Sequence, residues 1–225
     1  MFIPDDRVPL VIDYALDLTG RPEPRMCALN TAMGDDPQFA LRLYSRLSGT
    51  RVRMSHLALF PMPNVTDPED FLLSQDVIFV GGGSVANMVA VWRVHGIDRI
   101  IRKAWQEGTV LAGSSAGGIC WFDGGTTDSF GTDLRPFTDG LGLLGGSYCP
   151  HYDSEPGRRP LYRRLISEGA LGGGLACGDG MAAHFADESL EEAIADRPGD
   201  CCYRVEPDGP GGVTETPIGV RYLGA

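Results

Sequence analysis

The chain of 225 residues is short of positive charge, since 19 lysines and arginines stand against 30 aspartates and glutamates, a formal net charge of -11. Such an excess repels a phosphate backbone and argues against nucleic acid as a partner. The sequence also has no apolar run that approaches the length of roughly 20 residues needed to span a bilayer. Its N-terminus lacks the basic and apolar segments of a signal peptide. We therefore expect a cytoplasmic protein that binds neither nucleic acid nor membrane.

Metal-binding patterns are missing as well. The six cysteines include no pair at the two-residue spacing typical of zinc sites, and adjacent Cys201 and Cys202 would point to opposite faces of a strand. We predict buried free thiols, with no metal and no cofactor. Histidine is also scarce, which limits the candidates for a general base to four: His56, His95, His151 and His184.

Short apolar runs alternate with longer segments of helical period, which predicts an α/β fold: three layers, with a mostly parallel sheet and helices on both faces. The predicted strands are 26–30, 52–60, 76–80, 109–112, 146–149 and 174–177. The predicted helices are 37–47, 68–73, 85–94, 97–106, 116–122 and 158–168. After about Gly180 the pattern favours C-terminal β-hairpins. The length suits a single domain, 1–225, in which residues 1–24 are a candidate N-terminal arm.

The strongest chemical signal is the run Gly113-Ser114-Ser115-Ala116-Gly117-Gly118. It lies between a predicted strand and a predicted helix, and small neighbours allow the chain to turn sharply there. This pattern is typical of a nucleophile elbow, which would expose the Ser115 hydroxyl and aim the Ala116 amide at a developing oxyanion. The sequence therefore predicts a serine nucleophile.

A second glycine loop, Gly81-Gly82-Gly83-Ser84, follows the apolar strand before it. It matches neither a phosphate P-loop nor a dinucleotide fingerprint. Because neighbouring parallel strands bring their carboxyl-end loops to one edge, we expect this glycine loop to supply an oxyanion-hole amide. Ser84 and Asn87, at the start of the next helix, are candidate substrate-binding residues.

The general base and its orienting acid stay open on the residues alone. His151 follows a short apolar strand, and His184 lies in a strand-like segment. Asp153, Asp179 and Asp187 are the candidates for the orienting acid. Two triads result: Ser115, His151 and Asp179, or Ser115 and His184 with Asp153 or Asp179 in the chain order of α/β-hydrolases. If the substrate has an acidic N-terminal residue, the cations Arg158, Arg159 and Arg163 are candidates to bind it.

These motifs together resemble the dipeptidase E (alpha-aspartyl dipeptidase) serine peptidases, relatives of cyanophycinase. The resemblance runs from Arg25 to Arg204 through Asn30-Thr31-Ala32-Met33-Gly34-Asp35, the glycine loop, the Ser115 turn, Cys149-Pro150-His151-Tyr152-Asp153 and Asp179-Gly180. It implies a class I glutamine-amidotransferase-like fold and a catalytic triad of Ser115, His151 and Asp179. It further implies that the amide of Gly82 or Gly83 completes an oxyanion hole with that of Ala116. It also implies removal of an N-terminal aspartate from a dipeptide without a metal.

Three positions depart from the family pattern: Ser84 stands where Asn is common, Gly178 replaces an acidic residue, and Gly145 stands where Pro is frequent. These departures bear on the substrate more than on the chemistry. The expected partners are a small peptide substrate and, as an option, a second copy of the chain in a homodimer. The competing functions are an α/β-hydrolase-type esterase or amidase that uses His184, and a non-catalytic binding module.

Overall fold

The computed structural model describes residues 10–199 and 201–224. The chain divides into two compact units. The first comprises Met1–Gly83 and Asn87–Gly117, and the second comprises Ser84–Ala86 and Gly118–Ala225. The expectation of one hydrolase domain stays a prediction, and residues 1–9 of the expected N-terminal arm lie outside the described residues.

The first unit is built on a four-stranded sheet in the order β2-β1-β3-β4, in which every pair is parallel. Its core includes Leu16, Met26, Leu47 and Val77, so the part of the predicted arm that is described packs into this unit. The elements from the N-terminus to the Ser115 turn are α1 (Leu10–Asp17), β1 (Arg25–Leu29), α2 (Pro37–Leu47), β2 (Arg53–Leu57), α3 (Pro68–Leu73), β3 (Val77–Val80), α4 (Val85–His95), α5 (Ile97–Gln106), β4 (Val110–Gly113) and α6 (Ala116–Ile119).

Aspartate and proline fix the starts of two of these helices. Asp36 accepts a hydrogen bond from the Gln38 amide before α2, and Asp67 accepts from two amides of α3. In both cases proline is the first helical residue, where its missing N–H costs nothing and its fixed φ suits the helix. These local signals explain why the bounds predicted for both helices are confirmed.

The second unit contains two sheets. A six-stranded sheet has the order β12-β11-β8-β7-β5-β6, with β5, β7 and β8 parallel, and a three-stranded sheet has the order β13-β10-β9. Helix α7 packs against the larger sheet through Tyr162, Leu165 and Ile166. The elements are β5 (Phe122–Thr127), β6 (Arg135–Phe137), β7 (Leu144–Cys149), α7 (Arg158–Ser167), β8 (Gly174–Cys177), β9 (Met181–Ala186), β10 (Ser189–Ala195), β11 (Cys202–Pro207), β12 (Val213–Ile218) and β13 (Val220–Tyr222).

The predicted C-terminal hairpins are confirmed, because β9 pairs antiparallel with β10 and β11 pairs antiparallel with β12. The last strand differs from a hairpin arm, since β13 pairs parallel with β10. The parallel strands covered by helices likewise confirm the predicted α/β class. No helix in the described ranges has both the length and the apolar character that crossing a bilayer requires.

The helix predicted over 116–122 is wrong at its end. Helix α6 stops at Ile119, and Phe122 begins β5. Strand β5 is not predicted from the sequence, because glycine, present here at positions 124 and 125, has a low strand propensity. The structure needs both of them: a Cβ on Gly124 would lie 2.0 Å from the Phe137 carbonyl oxygen, and one on Gly125 would lie 2.1 Å from that of Tyr148.

Candidate active site

Ser115 lies at the corner between β4 and α6, in the first unit. Its φ of 55° is in the left-handed region, which residues with a side chain rarely adopt. The residue is half-buried, so the corner presents its side chain near the protein surface. A strained backbone at a predicted nucleophile is the geometry expected of a nucleophile elbow.

Close packing against β3 holds this corner in place. The Ser114 amide donates to the Val80 carbonyl at 3.0 Å, and the Gly117 amide donates to the Ser114 carbonyl at 3.0 Å. A Cβ on Gly117 would lie 2.2 Å from the Val80 carbonyl oxygen, which is closer than any side chain allows. Glycine at 117 is therefore a requirement of the turn, as the elbow pattern predicts.

The glycine loop after β3 lies against Ser115 in the same unit. A Cβ on Gly82 would be 3.1 Å from Ser115 Cβ and 3.8 Å from Ser115 Oγ. Gly83 has a φ of 133° and packs against the Ala32 carbonyl, where a Cβ would be only 2.4 Å from the oxygen. The structure thus brings the backbone of Gly82 to Ser115 and uses Gly83 for a close turn.

The backbone amides of the glycine loop and of Ala116 differ in their hydrogen bonds. Gly81 continues the sheet ladder by donating to the Leu29 carbonyl at 2.9 Å, whereas Gly82 and Gly83 donate to no backbone carbonyl of the described residues. Ala116 is the first residue of α6, where amides have no acceptor within the helix. Amides of this kind can stabilise an oxyanion.

His151 belongs to the second unit and follows β7 after Pro150. Its φ is 56°, again in the left-handed region, and its Nδ1 lies 2.5 Å from Asp179 Oδ1. Asp179 follows β8, the parallel neighbour of β7, so both residues come after the carboxyl ends of adjacent strands. An Nδ1–H bonded to the carboxylate leaves Nε2 able to accept a proton.

The surroundings of Asp179 favour its charged form. Burial raises the pKa of this carboxyl, but hydrogen bonds from His151 and Ser154 and the charges of His151 and Arg197 outweigh that effect, so its pKa falls below the ordinary 3.8. Arg197 also donates to the Asp179 carbonyl at 2.7 Å. The carboxylate is therefore ionised at neutral pH and suited to orient an imidazole and stabilise its positive charge.

Asp153 completes this loop from the other side. Its Oδ1 accepts a hydrogen bond from the Asp179 amide at 3.3 Å. A Cβ on Gly178 would lie 2.4 Å from Asp153 Oδ2, so the carboxylate occupies the space that a side chain at 178 would take. A larger residue at 178 would therefore require the Asp153 carboxylate to move.

The alternative base His184 lies inside β9, where it is paired in register with Glu192 of β10. Both acids considered for this second triad contact the other loop instead: Asp179 bonds His151, and Asp153 bonds the Asp179 amide. The geometry thus favours the first triad within the second unit, while the roles of its members stay predictions.

The three arginines expected to bind an acidic substrate have carboxylate partners within the chain. Arg158 is 2% exposed and donates to Glu155 at 2.6 Å and to the Thr126 carbonyl at 2.8 Å. Arg159 and Arg163 both pair with Glu215. Their contacts give these residues a structural function, and a role in substrate binding stays a prediction.

The two remaining predicted substrate-binding residues lie at the start of α4. Ser84 is half-buried before α4, and Asn87 is exposed in its first turn. Ser154 and Arg197 also interact with Asp179, and neither is among the predicted site residues. Ser154 could have been found from its closeness to His151, whereas no local signal marks Arg197. Within the described chain, no three His, Cys, Asp or Glu side chains form a group that could hold a metal ion.

Comparison with known proteins gives a consistent result. The model of Peptidase family S51 matches residues 3–193. The uncharacterized peptidase YgaJ of Bacillus subtilis (strain 168) is 43% identical over 216 residues, which cover 94% of this chain and 90% of YgaJ. The chain therefore has a full-length relative named as a peptidase.

Solved structures agree on the fold. A peptidase from an acI-B1 actinobacterium superposes with a TM-score of 0.67 at 13% identity, over 95% of this chain and 90% of that one. A candidate peptidase E protein of Listeria monocytogenes EGD-e gives a TM-score of 0.50 at 16% identity, over 95% and 94% of the two chains. At such low identity these likenesses support the fold alone.

Proposed function

The chain belongs to Peptidase family S51 and is a peptidase, and from that premise we propose that it cleaves small peptides with Ser115 as nucleophile, His151 as general base and Asp179 as orienting acid. The observation that carries this proposal is the strained Ser115 corner, whose φ is 55° and whose Cβ faces the Gly82 backbone. A serine held so at a strand-to-helix turn is typical of covalent hydrolases.

In the proposed reaction, His151 Nε2 removes the Ser115 proton as Oγ attacks the peptide carbonyl carbon. The C–N bond then breaks, and the imidazolium returns the proton to the leaving amine. A water molecule, activated by the same imidazole, hydrolyses the acyl-enzyme and regenerates Ser115. Asp179 stabilises the imidazolium through its short bond to Nδ1.

The oxyanion of each tetrahedral intermediate needs donors that are already in position. We assign this role to the Ala116 amide, at the start of α6, and to the Gly82 amide, with Gly83 shaping the loop. One such donor typically contributes about 3 kcal/mol of transition-state stabilisation. Backbone donors cost no reorganisation, because the fold fixes them before the substrate binds.

The proposed substrate is a dipeptide with an acidic N-terminal residue. This assignment rests on the resemblance to dipeptidase E, and it does not require Arg158, Arg159 or Arg163, whose guanidinium groups pair with Glu155 and Glu215. A panel of dipeptides that differ only in the N-terminal residue tests it. Faster cleavage of Asp-Leu than of Asn-Leu and Leu-Leu is expected, and equal rates would contradict the acidic preference.

The nucleophile is tested with a fluorophosphonate probe and mass spectrometry of the labelled peptide. Labelling is expected at Ser115 in the wild type, none in Ser115→Ala, and unchanged labelling in the matched control Ser114→Ala. Ser115→Ala is also expected to lose several orders of magnitude in kcat while its melting temperature is retained. A folded Ser115→Ala that still cleaves peptides would refute the proposal.

A pair of histidine variants distinguishes the two candidate bases. His151→Ala is expected to reduce kcat by at least about a thousandfold, because the serine then lacks its base, and His184→Ala is expected to retain activity. The reverse outcome would assign the base to His184 and favour the esterase-type triad.

A further inference from the structure

The second unit contains a cavity of about 530 Å³ that the proposed reaction does not use. Strands β5, β7, β8 and β11 and the β9–β10 hairpin form its walls. Gly145 and Gly174, which line it, lie in the first two residues of β7 and β8, whereas His151 and Asp179 follow the last residues of these strands. The cavity is therefore at the opposite end of the strands from the His151–Asp179 pair.

The size of the cavity suits a small organic ligand. Small-molecule sites in proteins typically enclose about 300–1,000 Å³. The present volume lies within that range, and it accommodates a single amino acid with room for a long side chain.

Charged side chains of both signs line the cavity. Arg204 and Glu206 are alternate residues of β11 and share one face of the strand, while Val205 between them is buried on the other face. Glu188 comes from the turn between β9 and β10. In residues 10–199 and 201–224, no ion pair or hydrogen bond of these three side chains is found, and together they carry a net charge of -1.

Apolar side chains form the rest of the wall. The ring of Phe185 meets that of Phe122 edge to face, with centroids 5.9 Å apart, and Leu175 and Leu190 line the same space. Such a surface suits the methylene chain of a ligand, and aromatic rings also attract cations. The lining thus combines one cation, two anions and an apolar strip.

Gly145 leaves one side of the cavity open. A Cβ at this position would meet nothing within 4 Å, and its φ is outside the left-handed region. This is the position at which the resembled family frequently has proline. A side chain here would extend into free space at the wall of the cavity without straining the backbone.

We propose that this cavity binds a free α-amino acid with a basic side chain, of the lysine class. The α-carboxylate pairs with Arg204, the two ammonium groups pair with Glu188 and Glu206, and the methylene chain packs against Phe185 and Leu190. A ligand with one anion and two cations is the charge complement of this wall. The site is distinct from the proposed catalytic residues and does not depend on their assignment.

The test is calorimetric titration of the full chain with L-lysine, L-leucine and L-glutamate. These probes carry net charges of +1, 0 and -1 and have side chains of comparable length. Binding of lysine is expected to be tightest and glutamate weakest. Gly145→Leu, which adds a side chain at the wall of the cavity, is expected to weaken lysine binding, and Glu206→Gln and Arg204→Gln are each expected to weaken it about threefold to tenfold.

The matched control is Gly219→Leu, since a Cβ at Gly219 also meets nothing within 4 Å and this residue does not line the cavity. It is expected to bind lysine as the wild type does. No binding of lysine to the wild type, tighter binding of glutamate, or undiminished binding to a folded Gly145→Leu would overturn the proposal. If Gly145→Leu fails to fold, unchanged affinity in both Arg204→Gln and Glu206→Gln overturns it instead.

Discussion

The two units share one backbone feature but stabilise it by different contacts. Each places a functional candidate after the carboxyl end of a parallel strand, in the left-handed region: Ser115 at a φ of 55° and His151 at a φ of 56°. Ser115 is held by backbone packing, with Gly82 and Gly117 in close contact around it. His151 is held by polar contacts, chiefly the 2.5 Å bond to Asp179.

This contrast shows two ways in which a fold can hold a residue in position. A packed corner is fixed by volume, so it fails when an atom is added. A polar loop is held by charge and hydrogen bonds. A substitution that keeps the size of a side chain but changes its charge or its hydrogen-bonding groups therefore disrupts it. We therefore expect enlarging substitutions to disturb the Ser115 corner more, and isosteric substitutions that change a charge to disturb the His151 loop more.

The largest effect is expected from an isosteric change in the polar loop. Asp179→Asn keeps the shape but loses the negative charge that orients His151, so kcat should fall by about a thousandfold to ten-thousandfold. Steady-state kinetics on a peptide substrate measures this fall. The matched control Asp187→Asn changes an exposed turn aspartate and should leave kcat unaltered. Retained activity in Asp179→Asn would show that the charge is not required.

Next in size is an enlarging change in the packed corner. Gly117→Ala places a Cβ 2.2 Å from the Val80 carbonyl oxygen, so the free energy of unfolding should fall by about 3 kcal/mol. Denaturant unfolding checks this value against Gly219→Ala, where the added Cβ has open space. Equal stabilities of the two variants would contradict this prediction, because they would mean that the backbone around Ser115 adjusts to the added Cβ at little cost.

A smaller effect is expected from Gly82→Ala. Its Cβ would lie 3.1 Å from Ser115 Cβ, a contact that displaces the nucleophile by tenths of an ångström rather than breaking the fold. We expect kcat to fall about tenfold to a hundredfold, with KM and the melting temperature little changed. A loss of stability as large as that of Gly117→Ala would contradict this separation of function from folding.

The smallest effect concerns the pH dependence of stability. Hydrogen bonds and nearby charges hold the pKa of Asp179 below 3.8 despite its burial, so its ionised form stabilises the native state above the unfolded pKa, and this contribution is lost as the pH falls through the folded pKa. The difference in unfolding free energy between the wild type and Asp179→Asn should therefore shrink as the pH falls from about 5 to below 3.8. Chemical denaturation at several pH values measures it, and a difference that widened on acidification would reverse the inferred sign.

The same contrast governs what the sequence could predict. The bounds predicted for α2 and α3 are confirmed, because aspartate caps and proline at the first helical position fix locally where these helices begin. The turn at Ser115 could also be predicted, because the small residues from Gly113 to Gly118 that permit it are neighbours in the chain. The family resemblance supplied the remaining fold, and the α/β class and the peptidase activity are confirmed.

What escaped prediction depends on contacts between distant residues. Strand β5 is absent from the predicted strands, and its first residue, Phe122, falls in the helix predicted over 116–122. The close approach of Phe137 and Tyr148 that requires glycine at 124 and 125 is not visible in the local sequence. The pairing of His151 with Asp179 joins positions 28 apart, and the residues alone left it as one of two alternatives. The contact of Arg197 with the Asp179 carbonyl had no signal at all.

The contact between Gly178 and the Asp153 carboxylate has a consequence for engineering. Transplanting the acid-bearing loop from a relative with a larger residue at 178 would bring two groups into one volume, since a single Cβ there already falls 2.4 Å from Asp153 Oδ2. Exchanging positions 153 and 178 together would avoid this overlap. A chimera that imports only the larger residue at 178 would require the Asp153 carboxylate, which accepts a hydrogen bond from the Asp179 amide, to move.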